Sequence, residues 1–250
     1  MIDGYTKHRA NAPSGFFGVE AAGLAWLAVP GGVPVARVLA VEATSITVER
    51  VPSVPPTARA AARFGAQLAA THSAGAAAFG AGPDGWSGDG YIGDAPLSLR
   101  RTAHWGAFYA DQRLLPYART AHQQGALSSA GLALIESLAG RLRAGEFNDD
   151  LPPARLHGDL WAGNVLFSGA SVVLIDPAAH GGHRITDLAM LALFGLPHLA
   201  EVYAGYTEAF ALPGDWTELI GLHQLHPLLV HAALFGGGYG EQAVRVAQRY

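Results

Sequence analysis

Asp159, Asn164 and Asp176 have the types and spacing that suit phosphoryl transfer to an alcohol. Asp159 lies in the polar loop His157-Gly158-Asp159-Leu160-Trp161-Ala162-Gly163-Asn164, with the carboxamide of Asn164 five positions on. Asp176 closes the apolar run Val172-Val173-Leu174-Ile175. Such a transfer needs an acid group to orient and deprotonate the hydroxyl, and oxygen ligands for magnesium beside the ATP phosphates. Asp159 is the candidate base. Asn164 offers a neutral oxygen to the metal and Asp176 a charged one. Taken singly, an Asp in a Gly-containing loop is a turn former and Ile-Asp-Pro a strand end. The joint pattern carries the chemistry.

The Asp-to-Asn interval equals that of the loop H-R-D-x-x-x-x-N, with Gly158 where that loop has Arg. Kinases also pair a strand lysine with a helix glutamate to fix an ammonium against the nucleotide phosphates. Lys7, the only lysine against fifteen arginines, ends a candidate strand, and Glu20 rides on the helical pattern that follows. From spacing alone, a solvated lysine and a surface glutamate are the simpler reading of the pair. Glu49-Arg50-Val51 ends the last strand before a proline cluster, where an adenine could meet backbone. His180-x-x-His183 and His223-x-x-His226 lack the H-E-x-x-H form and any cysteine, so zinc is not assigned. Gly236-Gly237-Gly238-Tyr239-Gly240 reads as a turn.

These groups need elements to hold them. Residues 1–51 read as a small α/β unit: a strand tail at Tyr5-Thr6-Lys7, a helix over Phe16–Leu27, an extended stretch from Val33, and strands over Val38–Val41 and Ser45–Arg50. Pro52, Pro55 and Pro56 mark a boundary, and Thr57 caps a helix reaching about Ser73. Residues 75–93 read as one long loop, and helices are expected over Trp105–Ala118 and Ser128–Glu146. Pro152-Pro153 stops the last of these. Val165–Phe167 and Ser171–Ile175 form a hairpin. The chain from Asp187 on is helical, broken at Pro197, Pro213-Gly214 and Gly236–Gly238.

Composition bounds the rest. With 250 residues, half of them apolar and 14% charged, the chain is globular and can bury one large core or two modest lobes. A net charge of −4 without a basic block gives no nucleic-acid footprint. Without cysteine there are no disulfides, thiolate metal sites or cysteine nucleophile. The first eleven residues do not read as a signal peptide, and no apolar run reads as a membrane span.

On these residues the sequence resembles the fructosamine kinase (ketosamine 3-kinase) family, within the aminoglycoside and choline kinase-like group. The resemblance is carried by His157 to Leu166, Leu174-Ile175-Asp176-Pro177-Ala178, Gly182-His183-Arg184 and Asp187-Leu188-Ala189-Met190. Trp105 with Phe108, Arg113-Leu114 and Leu234-Phe235-Gly236-Gly237-Gly238-Tyr239 support it. Trp161 points to the fructosamine branch. The resemblance implies an α+β, bilobal protein-kinase-like fold. Residues 1–52 would be an N-terminally truncated nucleotide-binding lobe and residues 53–250 a mainly helical catalytic and substrate lobe. The implied activity is ATP- and Mg2+-dependent phosphorylation of the sugar 3-hydroxyl of a ketoamine, of fructosamine or ribulosamine type, followed by loss of the amine. Asp159 matches the proton acceptor, Asn164 and Asp176 the magnesium ligands, Lys7 and Glu20 the phosphate-holding pair, and Glu49, Arg50 and Val51 the nucleotide hinge. Trp161, His157, His183 and Arg184 are expected at the sugar.

The family carries two strands and a phosphate-covering loop ahead of the lysine, where this sequence has Met1 to Thr6, and often an acid where this sequence has Ile185. The alternatives are therefore a kinase of another small alcohol, such as an aminoglycoside, and a non-catalytic kinase-like binding protein. The expected protein is a cytoplasmic monomer acting on a small molecule, with no nucleic-acid or membrane partner.

Overall fold

In the computed structural model, which describes residues 3–250, the chain opens with a three-stranded antiparallel sheet. Its strands β1 (Gly4–His8), β2 (Val38–Glu42) and β3 (Ser45–Glu49) lie in the order β1-β3-β2. Helix α1 (Phe16–Leu27) lies between β1 and β2 in sequence. Alternation along β3 buries Ile46 and Val48, which pack with Phe17 and Leu24 of α1. This packing brings Glu20 of α1 to Lys7 of β1. Met1 and Ile2, part of the expected 1–52 unit, lie outside the described residues.

Helix α2 (Ala58–Ser73) starts at Thr57, whose hydroxyl accepts from the Ala60 N–H at 3.2 Å. The expected loop over 75–93 is shorter than its composition suggests. Its end folds back as β4 (Gly90–Ile92) against β5 (Ala95–Leu97), strands too brief to show a period. The helix from Trp105 also runs past the expected Ala118. It comprises α3 (Trp105–Phe108), a π-helical turn at Tyr109–Leu114 and α4 (Leu115–Gln123). Helix α5 (Ser129–Arg143) is capped by Ser128, which accepts from Gly131 N–H at 3.0 Å.

Around the central motif, β6 (Ala154–Leu156) pairs with β9 (His180–Gly182), and β7 (Val165–Ser168) with β8 (Ser171–Leu174). The β7–β8 hairpin matches expectation. The three-residue β6 and β9 leave no sequence signal. Helices α6 (Ile185–Leu193), α7 (Leu199–Ala209), α8 (Ile220–Phe235) and α9 (Tyr239–Ala247) follow, separated at the expected breakers. No helix of the described residues is long and apolar enough to cross a membrane.

One core lies among α3, α4, α5, α8 and α9, around Phe108, Leu114, Ile135, Leu138 and Leu225. The other joins α2, the β7–β8 hairpin, α6 and α7 around Phe64, Leu68, Val172, Leu188 and Tyr206. Helices α2 and α7 meet at backbone distance: a Cβ on Gly65 would fall 2.0 Å from Val202 O, and one on Gly205 2.0 Å from Ala62 O. The small sheet is tied to the hairpin through main chain. Leu174 N–H donates to Pro34 O at 2.8 Å, Ala36 N–H to Leu174 O at 2.9 Å, and Val54 N–H to Phe167 O at 2.8 Å.

Pro227 lies inside α8 and has no N–H for the His223 carbonyl one turn earlier. The buried Tyr109 hydroxyl, from the π-helical turn, meets that gap. It donates to His223 O at 3.0 Å and Leu222 O at 2.8 Å, and accepts from His226 N–H at 3.2 Å. Tyr109→Phe leaves these buried groups short of partners. It should cost about 1–3 kcal/mol, read as a lower urea midpoint with an unchanged slope; an unaltered midpoint refutes this role for Tyr109 beside Pro227.

Candidate active site

The loop carrying Asp159 is held from beneath by one buried carboxylate. Asp187, in the first turn of α6, is 1% exposed and accepts from the backbone N–H of His157 at 2.8 Å and of Gly158 at 3.0 Å. His72 of α2 reaches the same carboxylate with Nε2 at 3.2 Å, and its Nδ1 meets the Tyr206 hydroxyl at 2.8 Å. Arg184 donates to that hydroxyl at 3.1 Å. The chain of bonds therefore runs Arg184, Tyr206, His72, Asp187 and into the loop. Burial alone would raise the Asp187 pKa. The hydrogen bond and charge of His72, the charge of His157 and the Gly158 N–H outweigh it and hold the carboxyl below its ordinary value.

Gly158 shows why this loop has no arginine before its Asp. Its φ is +82°, and a Cβ there would fall 2.2 Å from Ala178 O.

Above this support the expected set comes together. Asn164 Nδ2 donates to Asp159 O at 2.8 Å and Asp159 Oδ2 at 3.1 Å. Ile175 N–H donates to Asn164 O at 3.2 Å, which brings Asp176 alongside. Asp176 lies two residues beyond β8, in the left-handed region at φ 54°, a conformation Asp tolerates better than most residues. Lys7 Nζ donates to Glu20 Oε1 and, at 2.8 Å, to Asp176 Oδ1. The lysine–glutamate pair is thus a contact across 13 residues of sequence, and it reaches the metal-ligand candidate as well. Lys7, Glu20, Asp159, Trp161, Asn164 and Asp176 all line one cleft of about 390 Å³. Burial pushes the Asp159 carboxyl up to about 6, helped by the charges of Asp176 and Asp187 and opposed by the Asn164 hydrogen bond. Burial also raises Glu20, against the pull of Lys7.

Glu49, Arg50 and Val51 line an adjoining hollow of about 270 Å³ that shares Lys7 and Asp176 with the cleft. The Glu49 carboxylate accepts from Arg37 N–H at 3.1 Å, and Arg50 Nε lies 2.8 Å from Asp3 Oδ2.

Three residues expected at the sugar are buried and do not line the cleft. His157 is buried: Nδ1 accepts from Asp159 N–H at 3.3 Å, so Nε2 donates to Ile175 O at 2.9 Å. It shapes the loop from behind. His183 is buried against Trp105 and His223, with Nε2 2.9 Å from Asp149 Oδ2. Arg184 is buried over the Phe210 ring at 3.7 Å and engages Tyr206. Of the expected sugar residues, Trp161 reaches the cleft, 41% exposed. Sequence reasoning missed the roles of His72 and Tyr206, because His72 lies 115 residues from its carboxylate and neither sits in a motif.

The family profile described as Fructosamine kinase matches residues 4–250. A crystal structure of a candidate fructosamine-3-kinase from Thermobifida fusca YX-ER1 superposes with a TM-score of 0.91 at 48% identity, covering 98% of this chain and 84% of that one. A relative from Vibrio vulnificus (strain CMCP6), named a probable ketoamine kinase, is 33% identical over 181 residues, 72% of this chain and 60% of the relative. The chloroplastic protein-ribulosamine 3-kinase of Arabidopsis thaliana is 30% identical over 193 residues, 76% of this chain and 56% of that protein. The match therefore spans less than two thirds of the length of these two curated relatives.

Asp187→Asn should cost about 3–5 kcal/mol of folding stability at pH 7, since it removes the charge that the loop N–H groups and His72 are arranged around. The Asp187 pKa is lowered by folding, so its contribution is present above the ordinary value of 3.8 and fades as pH falls through the folded value. The gap between urea melts of wild type and variant should narrow as pH falls below 3.8 and close only below the folded value; a pH-independent gap contradicts the assignment.

Proposed function

The chain belongs to the fructosamine kinase family, and we propose that it transfers the γ-phosphoryl group of ATP to the sugar 3-hydroxyl of a ketoamine. One observation carries this reading. Asp159, Asn164, Asp176, Lys7 and Glu20, drawn from both ends of the sequence, meet in one cleft with Trp161 at its side.

Asp159 Oδ2 is engaged by Asn164, so Oδ1 is the oxygen that accepts the hydrogen bond from the 3-hydroxyl. The hydroxyl oxygen forms the new bond to phosphorus, the bond from phosphorus to the leaving ADP oxygen breaks, and Asp159 takes the hydroxyl proton. In a loose transition state that proton moves late, so Asp159 acts mainly by positioning. Lys7, fixed between Glu20 and Asp176, supplies a rigid ammonium for the nucleotide phosphates. The adenine-binding edge runs over Glu49, Arg50 and Val51 and uses the Val51 N–H, because the Glu49 and Arg50 N–H groups already donate to Arg37 O and Asp3 O. Residues 1–52 and 53–250 are then the nucleotide lobe and the catalytic lobe.

The donor set fits magnesium. Both hydrogen bonds from Asn164 to Asp159 leave through Nδ2, so its Oδ1 is available, and Asp176 has one carboxylate oxygen beyond the one on Lys7. Among the described residues no group of three or more His, Cys, Asp or Glu gathers as a metal cage. Magnesium bound through one or two protein oxygens, phosphates and water requires none. It would supply charge neutralisation where Asp159, Asp176 and Glu20 otherwise repel a polyphosphate. A phosphate on the carbon next to the C2 carbonyl is a far better leaving group than hydroxide; its elimination from the 1,2-enaminol leaves an imine at C1, and water hydrolyses that imine to the free amine and a 3-deoxy-2-ketoaldehyde.

A fructosyl-amine should stimulate Mg2+-dependent ADP release; no stimulation by fructosyl- or ribulosyl-amines sinks the proposal. Asp159→Asn should lower kcat about 10²–10⁴-fold while ATP binding is kept. In wild type, kcat/KM should fall on the acid side with a midpoint near the Asp159 value of about 6, because the carboxylate is the working form. A flat profile from pH 5 to 8 contradicts that role.

A further inference from the structure

Beyond Asp159 the cleft opens onto an aromatic groove that the phosphoryl-transfer residues do not use. Trp161, Phe194, His231, Phe235 and Tyr239 line a hollow of about 380 Å³. A second hollow of about 190 Å³ shares Trp161, His231 and Phe235 with it and reaches Asp159. His231 is the hub, with ring centroids 5.0 Å from Phe194, 5.5 Å from Phe235 and 5.0 Å from Tyr239. Trp161 meets Phe194 edge-on at 6.2 Å. Phe235 is 68% exposed and Phe194 40%. A contiguous exposed aromatic patch marks a binding surface, and this one runs straight into the candidate base. His231 Nδ1 donates to Pro227 O at 2.7 Å, which fixes the ring at the centre of the patch. Neither hollow holds a Lys or Arg, and Asp159 is the carboxylate between them.

We propose that this groove binds the amine-bearing end of the ketoamine and selects apolar or aromatic amines that carry no carboxylate beside the nitrogen. The proposal rests on the ketoamine kinase reading. In a ketoamine the nitrogen is three bonds from C3, so a 3-hydroxyl held at Asp159 places the nitrogen and its substituent within a few ångströms of that carboxylate. One side of Asp159 is taken by Asn164, Asp176 and Lys7, where the phosphates go. The substituent leaves by the other side, over Trp161 and onto the aromatic rings. The secondary ammonium there meets the Asp159 carboxylate and aromatic faces, both of which favour a cation. A carboxylate would meet the field of Asp159 with no basic side chain to offset it.

The test compares kcat/KM at saturating MgATP for the 1-amino-1-deoxyfructose adducts of methylamine, benzylamine and glycine, in wild type, Phe235→Ala and Phe194→Ala. Calorimetric binding of the benzylamine adduct without ATP runs alongside. Wild type should favour the benzylamine over the methylamine adduct about tenfold, and should favour both over the glycine adduct. Each variant should lower the benzyl-to-methyl ratio at least threefold and weaken benzylamine-adduct binding by a similar factor. A ratio equal in wild type and both variants overturns the groove assignment and leaves the kinase reading standing. So does a glycine adduct used as well as the methylamine adduct. If no adduct is phosphorylated the kinase reading falls, and calorimetry alone decides the groove: unchanged affinity in both variants overturns it.

Discussion

The site depends on the grip of Asp187 on the backbone before Asp159. The two N–H groups of His157 and Gly158 belong to a loop that cannot satisfy them itself, and a buried ionised carboxylate satisfies both. That carboxylate is tolerable in the interior because His72 donates to it and is itself fixed by Tyr206 and Arg184. Helices α2, α6 and α7 therefore meet at one polar chain. The close approach of α2 to α7 through Gly65 and Gly205 is what lets His72 and Tyr206 touch. Packing of the second core and placement of the catalytic loop are thus one structural fact.

The cleft above has the opposite electrostatic character. Lys7 faces Glu20 and Asp176, Asp159 lies close by, and Arg9 is paired with Asp94, so four carboxylates outnumber two cations. Burial raises both the Asp159 and the Glu20 carboxyls; neighbouring carboxylates add to it at Asp159, whereas Lys7 opposes it at Glu20. A polyphosphate enters such a site with a divalent cation. Away from the phosphates the charge gives way to the rings of Trp161, Phe194, Phe235 and Tyr239, and the cleft acquires two chemically distinct ends.

Much of this was legible in the sequence where local chemistry fixes structure. Thr57 and Ser128 cap helices as their positions foretell, the β7–β8 hairpin falls where two apolar runs flank Ser168-Gly169-Ala170, and Asp159, Asn164 and Asp176 converge as their spacing implies. What escaped was set by distance along the chain. His183 and Arg184 sit in a motif, yet the motif positions structure: Arg184 ends the chain of bonds to Asp187, and His183 stacks beside His223. The strands β6 and β9 are three residues each and exist only as a pair. The π-helical turn carries Tyr109 to the gap left by Pro227 on α8, 118 positions further on, and no window of sequence holds both. The aromatic groove, too, draws on the catalytic loop at Trp161, on Phe194 just after α6, on α8 and on Tyr239 at the start of α9.

The account places the 3-hydroxyl of the sugar against Asp159, and the position of the phosphate in the product tests it most directly. A two-dimensional 1H–31P correlation spectrum, recorded as the protein turns over a fructosyl-amine with MgATP, reads that position before the adduct decays. The account predicts one phosphorus resonance coupled to H3 of the sugar, followed by inorganic phosphate and free amine. Coupling to H4 or to the C6 protons, or conversion of ATP to ADP and phosphate with the ketoamine unchanged, would contradict it.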